Sequence, residues 1–174
     1  RGTPAPHKPL LVLAVISLIE QGSIPENRIE PSPQLVESFL KYWSLLNIEK
    51  PRVFLPFYHL KSDKFWHLHA KYGQENLLAK TQFKSMSHLA SLVSYASLDE
   101  DLFFILQKPE VRETFRQKII ETYLPDKAEL FRAAVAENQE VNIIENLLLE
   151  NAKNNSFDEN KLIPATPKRS AAFR

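Results

Sequence analysis

The chain has 174 residues, of which 44% are hydrophobic and 25% charged, with a formal net charge of +1 and no cysteine. That length supports one domain with a real core, or one domain plus a short appendage, and the composition is that of a globular protein rather than a disordered one. The missing cysteine excludes a disulfide scaffold, thiolate metal ligands and a cysteine nucleophile, and fits a cytoplasmic setting.

Residues 1–8 (RGTPAPHK) are proline-rich and read as extended. The chain opens on Arg1 rather than methionine, which suggests a trimmed start. Pro9 suits the first turn of a helix, where a missing amide hydrogen costs nothing. That helix is expected from Pro9 to about Gln21, ending at Gly22. Its run LLVLAVISLI is apolar nearly all round, so it should be a buried central helix. The run is too short to cross a membrane and lacks the cleavage pattern of a signal peptide.

Residues 23–32 form a loop. Pro33 opens a second helix to about Leu46, with Leu35, Val36, Phe39, Leu40, Trp43 and Leu46 on one face. Val53–Leu60 (VFLPFYHL) and Phe65–Ala70 (FWHLHA) read as two strands joined at Lys61–Lys64, with Pro56 marking an edge or a break. Residues 71–84 read as a polar loop. Phe83 to about Val93 is expected as a short helix, and Ser97 with Glu100 reads as a capping box for Leu98–Leu106. Pro109–Tyr123 is a further helix, Asp126 to about Asn151 a long final one, and 152–174 a polar linker. The fold class is therefore mainly α (α+β): a compact helical domain with a small strand pair inserted after the second helix. The domain proper covers 9–151, with 126–151 as its potential appendage.

Charge is distributed unevenly. Between Lys41 and Lys84 eight basic residues face only Glu49, Asp63 and Glu75, whereas 99–159 carries fourteen acidic and seven basic residues. A basic face before an acidic helical body is compatible with docking on a polyanion, and equally with uneven solvated faces.

No catalytic constellation emerges. His67 and His69 lie two apart on a strand and face one way, which could begin a zinc site, with His88, His59 or Asp63 as imaginable third ligands. Their spacing matches no metal-binding motif, and structural histidines are the default. Asp99, Glu100 and Asp101 are better read as the acidic first turn of a helix. With three glycines in the chain, a phosphate-binding glycine loop is absent.

Three stretches together carry more information: PAPHKPLLVLAVISLIEQG, LPFYHLKSDKFWHL, and ASLDEDLFFILQKPEVRETFRQKIIETYL. Over roughly 4–124 the chain resembles the sulfur-binding domain of phosphorothioate-dependent, type IV HNH restriction endonucleases of the McrA-like kind. The resemblance implies binding of double-stranded DNA in which sulfur replaces a non-bridging phosphate oxygen, in the Rp form. It also implies a non-catalytic module without a cofactor of its own. The terminal RSAAFR resembles the junction before an HNH nuclease domain, where a divalent metal and any homodimer contact would reside.

The resemblance also implies a site. Its sulfur pocket is a shallow apolar cup, which maps onto Pro56 with Leu55 beside it, where relatives often have tyrosine. His59 stands where a small residue can occur. His7 and Lys8 form the polar side, lysine replacing the arginine of some relatives. Gln74, Asn76, Lys80 and Gln82 of the following loop suit base edges in the major groove. Lys61, Lys64, Lys71 and Lys84 suit phosphates. Two rival readings stay open: a DNA-binding domain without sulfur selectivity, motivated by Leu55 and His59, and a structural or protein-interaction domain using the last helix.

Overall fold

The computed structural model describes residues 5–159. The extended start at 1–4 and the linker expected over 160–174 lie outside the described residues. Among the described residues, eight α-helices and two strands follow in the order α1 (His7–Glu20), α2 (Pro33–Ser44), α3 (Phe54–His59), β1 (Trp66–Ala70), α4 (Glu75–Lys80), α5 (Met86–Leu92), β2 (Val93–Leu98), α6 (Glu100–Ile105), α7 (Pro109–Tyr123) and α8 (Ala128–Glu159). The expected class, mainly helical with a small antiparallel strand pair, is what the chain adopts.

Helix α1 is the centre of the first compact unit, which ends at Val135. Ten of its fourteen residues are buried, with Leu10, Leu11, Leu13 and Ala14 wholly excluded from solvent. Such a helix has no solvent face to satisfy, so it must be wrapped, and α2, α3 and α7 pack against it. Ser17, the polar interruption, is exchanged in a buried 2.6 Å hydrogen bond with the Tyr42 hydroxyl of α2. This removes the penalty of two buried unpaired hydroxyls. Helix α2 starts at Ser32, whose side chain accepts from the Leu35 amide, with Pro33 in the first turn.

The stretch VFLPFYHL is a helix followed by a 3-10 turn (Leu60–Asp63), not the expected strand. Val53, Phe57 and Leu60 are the buried residues of one helical face, together with Pro56. Pro56 occupies the third position of α3, where its amide hydrogen would have no helical partner. Every residue around it is apolar or aromatic, which hides the helical period, and burial outweighs the strand preference of Val, Phe and Tyr. Lys64 takes a left-handed conformation (φ 66°) and turns the chain into β1.

The true partner of β1 is Val93–Leu98, which the sequence suggested as a helix end and a capping box. The pair is antiparallel, with Trp66 opposite Leu98 and His69 opposite Tyr95. Ser97 is therefore a strand residue, and Asp99 stands before α6. Ile29 adds a bridge on the other edge of β2, exchanging both backbone bonds with Ala96. Asn27 closes that edge by bonding the Leu98 carbonyl and amide at 2.7 and 2.8 Å. The loop expected over 71–84 contains helix α4.

Residues 136–159 form the second unit's helical segment. Helix continues through 152–159, where linker was expected. Val141, Ile143, Ile144 and Leu147–Leu149 are exposed on it.

A buried ion cluster fastens α7 to α1. The Arg116 guanidinium is 2% exposed, bonds the Glu20 carboxylate and reaches Glu113, while Arg112 lies 3.5 Å from Glu20 and donates to the Leu106 and Gln107 carbonyls. Removing one member strands the others without a counter-charge. Glu20→Gln is expected to lower the unfolding free energy by about 3 kcal/mol, read from urea denaturation. A loss under about 0.5 kcal/mol would contradict the cluster's role.

The outer face of the strand pair holds His67, bonded to Asp99 at 2.6 Å, and His69, bonded to the Ser97 hydroxyl at 2.8 Å and stacked on Tyr95. Burial, with His67 and Arg28 nearby, holds the His69 pKa below its ordinary value of 6.5. The unfolded chain thus takes up this proton first as pH falls through 6.5, and stability is lost from there down to the folded-state pKa. His69→Gln should shrink the loss of urea midpoint between about pH 7.5 and 5.5. An unchanged loss would show that His69 does not govern this acid response.

Candidate nucleic-acid interface

The candidate residues come from three places along the chain, and packing of α1 on α3 brings two of them together. A helix turns about 100° per residue, so Leu55 and His59 share one side of α3, with Pro56 at its border with the buried side. On a strand Pro56 would have faced away from both. Burial follows this division: Phe57 is fully buried, Pro56 is buried, Leu55 is half-buried and His59 is exposed.

Trp66 fixes the height of α3. Its indole N–H donates to the Phe57 carbonyl at 2.8 Å, and its ring meets the Phe57 ring edge-on at 5.3 Å. Both groups are wholly buried, so the nine-residue separation of Phe57 and Trp66 is set by a bond that has no solvent alternative.

Lys8 lies at the amino end of α1 and reaches the turn after α3. Its ammonium donates to the Asp63 carboxylate at 2.5 Å and to the Ser62 hydroxyl at 3.2 Å. Ser62 passes its own hydrogen to the His59 carbonyl at 2.9 Å. The first turn of α1 has no side-chain cap, so the backbone N–H groups of its first residues lack a helical partner. His7 is half-buried with its ring against Trp43 of α2, 4.7 Å between centroids, and this burial lowers its pKa. At neutral pH His7 is therefore an uncharged donor or acceptor, and Lys8 is the cation of the pair.

The remaining candidates line the chain that leaves α3. Lys61 folds over Tyr58, with its ammonium 3.8 Å from the ring centre and 2.6 Å from the phenol oxygen. Tyr58 in turn packs on Phe83, and Phe83 on His88. Sequence reasoning missed this aromatic group, because 83–88 reads alone as a helix start and gives no sign of reaching α3. Lys64 and Lys71 are exposed. Gln74 immediately precedes α4 and is half-buried, whereas Asn76 and Lys80 stand one turn apart on α4, both exposed. Gln82 and Lys84 follow, also exposed.

Concave regions elsewhere in the first unit contain none of these residues. One is an apolar groove between α2 and α5, lined by Pro33, Val36, Leu40, Met86 and Ala90. Another is the cleft along His67, His69, Asp99 and Glu100. His67 and His69 are held by Asp99 and Ser97, and His88 packs on Phe83, so the imaginable zinc set does not assemble. Among the described residues no group of three His, Cys, Asp or Glu side chains could hold a metal ion. The structure thus places an ammonium, held by Asp63 and Ser62, at the turn that follows α3.

No curated protein matches the chain. The model of the ScoMcrA-like, DNA sulfur-binding domain family matches residues 1–135. That span ends where the first compact unit ends, and it takes in α1, α3 and every candidate residue. The chain thus belongs to the ScoMcrA-like DNA sulfur-binding domain family, a family of DNA-recognition modules.

Proposed function

We propose that this domain recognises double-stranded DNA carrying an Rp phosphorothioate, and that it is the targeting module of a modification-dependent restriction endonuclease whose HNH domain does the cutting. The observation that carries this reading is the family match across the first unit, joined to the meeting of Lys8 with the turn after Leu55, Pro56 and His59.

The physics favours such a site. Sulfur is larger and less strongly hydrated than oxygen, so it desolvates against proline and leucine atoms at lower cost. The group remains an anion, so an ammonium and backbone N–H donors beside it stay favourable. Selectivity is the difference between these terms: apolar atoms penalise oxygen, while cation contacts serve both. Leu55 keeps an apolar wall without a phenol, and His59 adds an exposed ring at its edge.

Flanking contacts have a natural source. Helix α4 offers Asn76 and Lys80 on one exposed side, and Gln82 follows; these suit base edges, while Lys84 suits a phosphate. Lys64 and Lys71 suit further phosphates. Lys61 would have to leave Tyr58 to do so, and is better read as a support for the aromatic group.

Paired titrations at one salt concentration test this reading, with one duplex bearing a single Rp phosphorothioate and its twin unmodified. The domain should prefer sulfur by about tenfold or more, within the range of single-group discriminations. Leu55→Ser should reduce that preference to a few-fold, and Pro56→Ala should do the same with some loss of thermal midpoint, since Pro56 is buried. Equal binding of both duplexes across several flanking sequences would leave a DNA-binding domain without sulfur selectivity.

A further inference from the structure

The ammonium of Lys8 is already occupied. Asp63 and Ser62 take two of its three hydrogens, and the Asp63 carboxylate is the same kind of ligand as a phosphate: a hard, singly charged oxygen anion. We propose that Asp63 is a specificity-determining residue, an internal counter-anion with which backbone phosphate must compete for Lys8. The inference rests on the DNA-recognition reading above and assigns a task to a residue outside the sulfur pocket.

The argument starts from charge. A free ammonium at this place would attract every phosphate along a duplex, modified or not, because such contacts carry no sequence or chemical information. It would also favour oxygen over sulfur, since oxygen is the stronger acceptor of a charged hydrogen bond. Pairing with Asp63 offsets that charge. An ordinary phosphate then loses its best partner, whereas a phosphorothioate retains the apolar atoms of α3, for which a carboxylate does not compete.

The geometry allows the exchange. Lys8 and Asp63 side chains are 36% and 42% exposed, so the pair sits at the surface, where it is weak enough to open. Asp63 ends the 3-10 turn, one residue before the left-handed Lys64, and within 61–71 it is the only acidic residue among Lys61, Lys64 and Lys71. A carboxylate in the middle of a basic stretch lowers the local attraction for DNA, so its task there is not affinity.

A double-mutant cycle on unmodified duplex tests this, using wild type, Asp63→Asn, Lys8→Gln and the double variant, each titrated between about 50 and 200 mM salt. Asp63→Asn should bind plain duplex about threefold more tightly at the low end, the scale of one exposed ion pair. It should also steepen the slope of log K against log salt by roughly one, the signature of one added phosphate contact. Both effects should largely vanish in the Lys8→Gln background, and the sulfur-to-plain ratio should fall in Asp63→Asn. Weaker binding by Asp63→Asn would overturn the proposal and make Asp63 a brace for Lys8. An equal gain with and without Lys8 would overturn it as well, leaving a general effect of charge. Asp63→Ser carries the same test if the asparagine variant does not fold. A wild type that binds both duplexes equally defeats the sulfur reading alone, since the Lys8–Asp63 coupling is still read on plain duplex. A wild type that binds no duplex defeats both.

Discussion

The burial of α1 on all sides is the constraint on which the rest of the first unit depends. Leu10, Leu11, Leu13, Ala14, Val15 and Ile16 leave no side of the helix for solvent, so α2, α3 and α7 have to close around it. Its two ends then become the places where polar chemistry can begin. At the carboxyl end Glu20 gathers Arg112 and Arg116 and fixes α7. At the amino end His7 rests on Trp43, and Lys8 crosses to the turn after α3. An amphipathic α1 could tilt or slide against its neighbours. A helix buried all round is held by close packing on every side, and the end that bears Lys8 is held with it.

Under the proposed function, that arrangement is how a surface would discriminate one atom. In the proposed reading the discriminating surface is supplied by α3, whose inward side is tied to Trp66 by both a hydrogen bond and an aromatic contact. Its outward side is thereby set without using Leu55 or His59, which stay available to a ligand. The cation is supplied by another element and arrives already paired with an anion. Affinity for DNA in general then has to come from more distant basic residues, such as those around α4. In this account, long-range attraction and chemical selectivity belong to different residues, so each can be altered without the other.

Much of this was legible in the sequence, and the failures have physical causes. Helix α1 stood out because no strand or surface helix needs seven apolar residues in succession, Leu10 to Ile16, followed after Ser17 by two more. Pro109–Tyr123 was read to its last residue, since Pro109 and Pro125 bracket a clear helical period. The VFLPFYHL run reads as a strand because apolar and aromatic residues fill it almost throughout, and its one imidazole, His59, leaves no visible period. Its helix is chosen by what Val53, Phe57 and Leu60 can bury, which is tertiary information. The partner of β1 was missed for a related reason: Ser97 and Glu100 imitate a capping box, while the pairing that makes Ser97 a strand residue lies some thirty residues away. Of the site, Pro56, Lys8 and their neighbours entered only through resemblance, and no local pattern singles them out. The Lys8–Asp63 pair, 55 residues apart, could not have been read from either residue's surroundings.

The most direct test of the account is where the protein senses sulfur. Amide and methyl NMR spectra of the labelled domain, with unmodified duplex and with its single-phosphorothioate twin, separate general DNA contacts from those made to the sulfur. The account predicts that the differences between the two complexes are confined to the first turn of α1 and to 55–63, with the α4 region shifted equally by both. Differences centred on the α2–α5 groove or on the His67–His69 face would contradict it, and identical spectra from the two complexes would remove sulfur from the explanation altogether.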